Sequence, residues 1–361
     1  MLMRAPILLS ALLLAASSAP VSAGNVAVGI VLPTKDQSRW LQDEVRFQAL
    51  KAAGYNIEIL FSQGEPAVEK ANVEKLIKEG ISILIICPVD GSAAAAAADE
   101  AHDHGIKVIA YDRLIRDSPN VDYYVTFDSV QVGAAWGRYL AQRAKGKGNN
   151  LYLYAGDPGD NNAFLFFQGA WNILQPRIAD GTFVVQNSSA AVALKGKARL
   201  SREEEGRIIG QVATNWSAND AKALAQSNLA SAPRAAKGNL FILGPNDDTA
   251  RAIADACLRD KDVKRYIITG QDAGKASIQY IIDGKQSMTV LKDVRSLVTD
   301  AIGVAVTYLK HATPASTQTY NNGMIEVAAN PTEIVTVTRK NLNTTIFASE
   351  YYQRGDFKNL N

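Results

Sequence analysis

The chain has 361 residues, of which 47% are apolar, and its 38 Lys plus Arg nearly cancel 36 Asp plus Glu, leaving a formal net charge of +2. No long basic stripe runs through it, so the electrostatic footprint of a nucleic-acid binder is missing. Its length exceeds what a single core usually accommodates, and two domains are expected.

The first residues read as a targeting segment. Arg4 supplies a positive start, residues 7–16 are apolar apart from Ser10, and Val21-Ser22-Ala23 resembles a small-residue cleavage site. A signal peptide over 1–23 is expected, with the mature chain starting at Gly24. No later segment offers the roughly 18 uninterrupted apolar residues of a membrane span. The two cysteines, Cys87 and Cys257, stand far from the cleavage site, so no lipid anchor is indicated. Both read as buried free thiols, with a disulfide as the alternative in an oxidising compartment. The periplasm of a double-membraned bacterium is the expected destination.

Strand-like and helix-like segments then alternate. Residues 26–32, 56–61, 81–87 and 107–110 read as strands, with helices over 37–53, 66–79 and 92–104 between them. A second series follows, with strands at 151–154, 183–186, 240–243 and 266–269 and helices at about 162–174, 218–229 and 248–259. Strands separated by helices of about 10 to 15 residues indicate βαβ units and a parallel sheet. The predicted fold class is α/β, with two doubly wound parallel-sheet domains. Residues 190–214 break the rhythm, carrying eight charged residues between 195 and 207 and glycine at 196, 206 and 210. They read as a long irregular connection, a solvated surface insertion.

Short polar clusters stand just after the strand-like runs: Ser38-Arg39-Trp40, Tyr111-Asp112-Arg113, Asp160-Asn161-Asn162, Asn246-Asp247-Asp248 and Gly270-Gln271-Asp272. In an open α/β sheet the carboxyl ends of the strands face one crevice, so such groups can converge on one ligand. Arg39 and Arg113 present planar forks of donors, and Asp112 and Asp272 are paired acceptors, suited to charge-assisted hydrogen bonds with hydroxyls. Asn162 and Asn246 both donate and accept, although Asn246 also reads as a helix N-cap. Lys292 follows a strand-like run at 287–291. Trp40 and Trp216 offer rigid apolar faces for a sugar ring, or else are core. The histidines, His102, His104 and His311, lie away from the clusters, so no catalytic base, metal or cofactor is called for.

These motifs resemble the periplasmic pentose- and hexose-binding proteins of bacterial ABC transporters, above all the D-xylose-binding and multiple-sugar-binding chemoreceptor family. The segments that carry the resemblance are RW at 39–40, GIKVIAYDRLI at 105–115, FD at 127–128, DNNA at 160–163, ND at 246–247, GQDA at 270–273, MTVLKD at 288–293 and NNG at 321–323. The resemblance covers nearly all of the mature chain. It implies ligand contacts at Arg39, Asp112, Arg113, Asn162, Asn246, Asp272 and Lys292, with Trp40 as a stacking face and Trp216 as the nearest candidate for a second. It also implies three hinge crossovers, placed near 127–128, 292–293 and 320–322. One lobe would then comprise 26–128 plus 293–320, and the other 129–292 plus 321–361.

The implied function is capture of a monosaccharide, D-xylose or a related aldopyranose, and its delivery to a membrane permease, by a monomer with no cofactor. A chemoreceptor ligand protein that docks a membrane sensor would use the same cleft. An exported sugar-active enzyme could use Asp112 and Asp272 as acid and base, but each is expected to have a cationic neighbour that would hold it ionised. A sugar-responsive repressor would need a DNA-binding headpiece where this chain has its leader-like segment.

Overall fold

Four runs near the start, β1 (Val28–Leu32), β2 (Ile57–Phe61), β3 (Ile83–Ile86) and β4 (Lys107–Tyr111), are apolar along nearly their whole length. Strands of this kind need cover on both faces, which parallel sheets receive from crossover helices. The computed structural model describes residues 27–360 and shows that arrangement; the leader-like segment 1–23 lies outside the described residues. Helices α1 (Ser38–Ala52), α2 (Pro66–Lys78) and α3 (Ala95–Asp103) connect the strands, and β5 (Tyr123–Val125) follows β4. All of these strands pair in parallel, in the order β2-β1-β3-β4-β5.

The chain then crosses at 126–128 into a second lobe. Its elements are α4 (Ser129–Ala141), β6 (Asn149–Leu153), α5 (Asn161–Ala179), β7 (Phe183–Val185), α6 (Ser189–Ala193), α7 (Arg202–Val212), α8 (Ala218–Ser231), β8 (Gly238–Leu243), α9 (Asp247–Arg259), β9 (Val263–Ile268), α10 (Lys275–Ile282) and β10 (Thr289–Lys292). Strands β7-β6-β8-β9 form a parallel sheet in that order. After β10 the chain returns, and α11 (Val294–Leu309) packs on α1 and on β3 to β5 of the first lobe.

Two expectations need correction. The third crossover does not lie at 320–322. Strands β11 (Gln318–Asn321) and β12 (Glu326–Ala329) form an antiparallel hairpin that extends the first sheet, with Ala329 paired to Tyr124 of β5. Only β13 (Ile334–Val337) joins the second lobe, antiparallel to β10. The crossing is therefore at 330–333, where Thr332 N–H donates to the Thr126 carbonyl at 2.8 Å beside the first crossover. Asn322-Gly323, beside the crossover that the resemblance implied, is the hairpin turn: the Asn322 side chain holds the Met324 and Ile325 N–H groups at 2.9 Å, and Gly323 has φ +101°.

Nor is 190–214 an irregular solvated insertion. Ser201 and Glu204 form a capping box that starts α7, a local signal hidden by the surrounding charge. Ile208, Ile209 and Val212 are buried in the core that includes α5. The Trp171 indole N–H donates to the Lys197 carbonyl at 2.9 Å, and Gln175 to the Lys195 carbonyl at 2.6 Å, so the connection is tied down along its length. Cys87 and Cys257 are both free and buried.

The second lobe depends on close approach of α4 and α5. A Cβ on Gly133 would stand 1.8 Å from the Phe166 carbonyl oxygen, and one on Gly169 would stand 1.9 Å from the Val130 carbonyl oxygen. The glycines thus face one another's backbone, and neither carbonyl can give way without breaking its helix. Gly133→Ala is expected to destabilise the protein by about 3 kcal/mol, the upper end of overpacking costs, read as a lower urea midpoint with unchanged slope.

Candidate ligand-binding cleft

The carboxyl ends of both sheets face each other, and the loops there bring side chains from seven separate stretches to one cavity. It is lined by Gln37, Arg39, Trp40, Asp112, Arg113, Asp160, Asn162, Phe166, Trp216, Asn246, Gln271, Asp272 and Lys292, and holds about 290 Å³ of atom-free space. All nine residues expected from the sequence are among them. Four were not assigned a contact: Asp160 and Gln271 belong to polar clusters already noted, and Gln37 precedes one. Phe166 was lost in the apolar run of α5, although it lies four residues after Asn162 and hence on the same helix face.

Charge dominates this site. Arg39 is held from behind by Asp43, with Nε and Nη2 donating at 2.8 and 3.1 Å, while Nη1 reaches Asp112 at 3.0 Å. Lys292 Nζ stands 3.1 Å from Asp272 and 3.7 Å from Asp112, so it bridges the two carboxylates. Arg113 pairs with Asp160 at 2.9 Å and donates to the Pro88 carbonyl at 3.1 Å. Burial would raise the Asp112 carboxyl, but Lys292, Arg39 and Arg113 together hold it below the usual carboxylate range. A carboxyl kept ionised in this way is a hydrogen-bond acceptor and a poor general acid.

Backbone geometry sets the aim of several of these groups. Asp112, Asp272 and Trp216 have φ of 58°, 95° and 56°, a region that side chains other than glycine enter at a cost. Hydrogen bonds hold two of them there: Asp112 N–H donates to the Val125 carbonyl and Asp272 N–H to the Val290 carbonyl, both at 2.8 Å. Strained residues of this sort cluster at functional sites.

The two tryptophans lie in the cavity wall by different means. Trp40, on the first turn of α1, donates its indole N–H to Gln37 at 2.9 Å, with the Arg39 and Arg113 guanidinium carbons 5.0 and 5.2 Å from its ring centroid. Trp216 is carried in by the chain leaving α7, where Thr214 N–H donates to the Ala155 carbonyl at 2.9 Å. Its indole rests on Gly156, where a Cβ would approach it to 2.0 Å, and its N–H donates to Asp160 at 3.1 Å. Asn162 donates to the Asp112 carbonyl at 2.9 Å. The Asn246 oxygen caps α9 by accepting from Thr249 N–H at 3.1 Å, so the side-chain NH₂ is what it offers the cavity.

Two buried acceptors on the cavity wall lack an aligned donor: Gln271 Oε1 and Asp272 Oδ1. Buried polar atoms are ordinarily hydrogen-bonded. Carboxylate and amide acceptors interleaved with Arg and Lys donors, together with two indoles, suit a compact neutral molecule rich in hydroxyls.

Comparison with known proteins agrees with this architecture. The model of the periplasmic binding protein domain family matches residues 28–313, and the chain belongs to that family, whose members are substrate-binding proteins rather than enzymes. Its relatives are more particular. The multiple sugar-binding periplasmic protein of Azospirillum brasilense is 33% identical, over 92% of this chain and 91% of its own. The D-xylose-binding periplasmic protein of Escherichia coli is 26% identical, over 92% and 93%. A carbohydrate transporter solute binding protein from Chloroflexus aurantiacus, solved in complex with D-glucose, is 62% identical with a TM-score of 0.92, covering 93% of this chain and 99% of that one.

Removing the bridging ammonium tests the charge arrangement. Lys292→Met leaves Asp112 and Asp272 to share only Arg39, 3.0 and 4.0 Å away, and losing one partner of a buried pair typically costs about 3–5 kcal/mol. In the variant the Asp112 carboxyl is expected to rise, so protonation relieves the repulsion. The deficit, measured by chemical denaturation, should be largest at pH 7 and shrink at pH 5; a deficit independent of pH would rule this account out.

Proposed function

We propose that this protein captures a neutral aldopyranose in the cleft between its lobes and, in the closed form, delivers it to the permease of an ABC transporter. The observation that carries the reading is the cavity itself: it is lined by two indoles, three cations, the Asp112 and Asp272 carboxylates and the Gln271 amide, whose buried oxygen has no hydrogen-bond donor. Sites built to hydrogen-bond hydroxyls discriminate strongly, because an absent hydroxyl leaves buried groups unpaired.

Arg39, Asp112, Arg113, Asn162, Asn246, Asp272 and Lys292 bind hydroxyls in this scheme, and Trp40 and Trp216 contact the ring face. D-glucose is the leading ligand, supported by the 62% identical neighbour solved with that sugar; D-xylose, indicated by the family resemblance, differs by one exocyclic carbon. Three thin connections at 126–128, 292–293 and 330–333 make a hinge, and closure around ligand is the usual motion of periplasmic binding proteins. Export through a leader cleaved after residue 23 would place a monomer in the periplasm. A chemoreceptor role is the second reading, favoured by the 32% identical multiple sugar-binding periplasmic receptor of Rhizobium radiobacter.

A thermal-shift panel of neutral monosaccharides on residues 24–361 tests the proposal, since a ligand that binds only the folded state raises stability with its concentration over Kd. D-glucose, D-xylose or both should raise Tm by several degrees. Asp112→Asn should abolish the rise for every sugar. No shift with any monosaccharide would overturn the sugar reading.

A further inference from the structure

Among the described residues, seven α-helices start with a side-chain cap of their own. The caps are Asp128 for α4, Asp160 for α5, Ser188 for α6, Ser201 for α7, Ser217 for α8, Asn246 for α9 and Asp293 for α11. Helices α1, α2, α3 and α10 have no such cap, and of these α1 carries Arg39 and Trp40 into the cleft. The residue at its N-cap, Gln37, makes no side-chain capping bond, because its amide oxygen accepts from the Trp40 indole. The acceptor is supplied from the other lobe. Asp248, 210 residues away on the first turn of α9, accepts from the Ser38 backbone N–H at 3.1 Å and from the Ser38 hydroxyl at 3.0 and 3.1 Å.

We infer that the Asp248 carboxylate is the N-terminal cap of α1, formed across the cleft only when the lobes are closed, and that it sets how long a bound ligand is retained. The chemistry favours a carboxylate at this point. Two helix N-termini, those of α1 and α9, meet there, and each presents unsatisfied N–H groups and partial positive charge. Arg251 fixes the carboxylate from behind, donating to Asp248 while its other arm donates to the Ser277 hydroxyl at 2.7 Å. Neither Ser38 nor Asp248 lines the cavity, so this contact belongs to closure rather than to ligand recognition. When the lobes separate, α1 loses its cap, and the difference weights the closed state. A residue that favours one of two conformations shifts their populations by its differential interaction alone, and a ligand held in the closed form leaves as often as that form opens.

The inference rests on the sugar reading above for its ligand. Stopped-flow tryptophan fluorescence with D-glucose, or with whichever panel sugar binds, measures release from the wild type, Asp248→Ala, Asp248→Asn and Ser38→Ala. Asp248→Ala should release sugar about 2- to 30-fold faster, the range that corresponds to a lost helix cap, with little change in association rate. Asp248→Asn keeps an acceptor for the Ser38 N–H and should recover part of the loss. Ser38→Ala combined with Asp248→Ala should add little to Asp248→Ala alone. Wild-type release from Asp248→Ala, or fully additive effects, would overturn the cap while leaving the sugar reading intact. If no sugar binds the wild type, the sugar reading fails by itself. Small-angle scattering then decides the cap: Asp248→Ala should show a larger radius of gyration than the wild type, and equal radii would overturn it.

Discussion

Everything in the cleft depends on keeping several charges out of water at once. Arg39, Asp43, Asp112, Arg113, Asp160, Asp272 and Lys292 are all buried, and no isolated ion of this kind would stay charged there. They do so as a connected set. Asp43 neutralises Arg39 from within the first lobe, Lys292 at the second crossover spans Asp112 and Asp272, and Arg113 of the first lobe meets Asp160 of the second. Because the pairs run between lobes, the closed arrangement and the binding surface are the same structure.

Topology makes that set possible. Every contributing loop except the approach to Trp216 stands directly at a strand's carboxyl end or at the start of the following helix, the position where parallel α/β sheets gather ligands. Asp112 and Asp272 hold left-handed backbone, and both carboxylates meet at Lys292. The cleft is therefore preorganised by backbone hydrogen bonds rather than by flexible side chains, which lowers the ordering cost of binding.

The arm formed by α6 and α7 solves a separate problem. Trp216 follows α7 rather than a strand end, so its approach to the cavity is set by the arm. The arm packs its apolar face on α5 and returns as an isolated bridge between Ala213 and Ala155 at the end of β6. The indole then has a floor at Gly156 and an edge contact from Phe166 at 6.2 Å.

Much of this was legible in the residues. Apolar runs such as VGIVL and ILII, separated by helices, are enough to read a parallel α/β sheet, because strands buried on both faces cannot alternate. Polar clusters after those runs located Arg39, Asp112, Asn162, Asn246 and Asp272, because strand ends and ligand sites coincide in such folds. Tertiary structure alone decided the rest. The assignment of 318–329 to the first sheet rests on a single pairing of Ala329 with Tyr124, which no local pattern announces. The order within α7 was masked by charges that face solvent while Ile208, Ile209 and Val212 turn inward. Phe166 joins the site through its helix phase. Local sequence determines which segments become strands and helices, since that depends on neighbours a few residues away; which of them meet across the cleft depends on the packing of groups 210 or more residues apart, as between Ser38 and Asp248 or Gln42 and Tyr351.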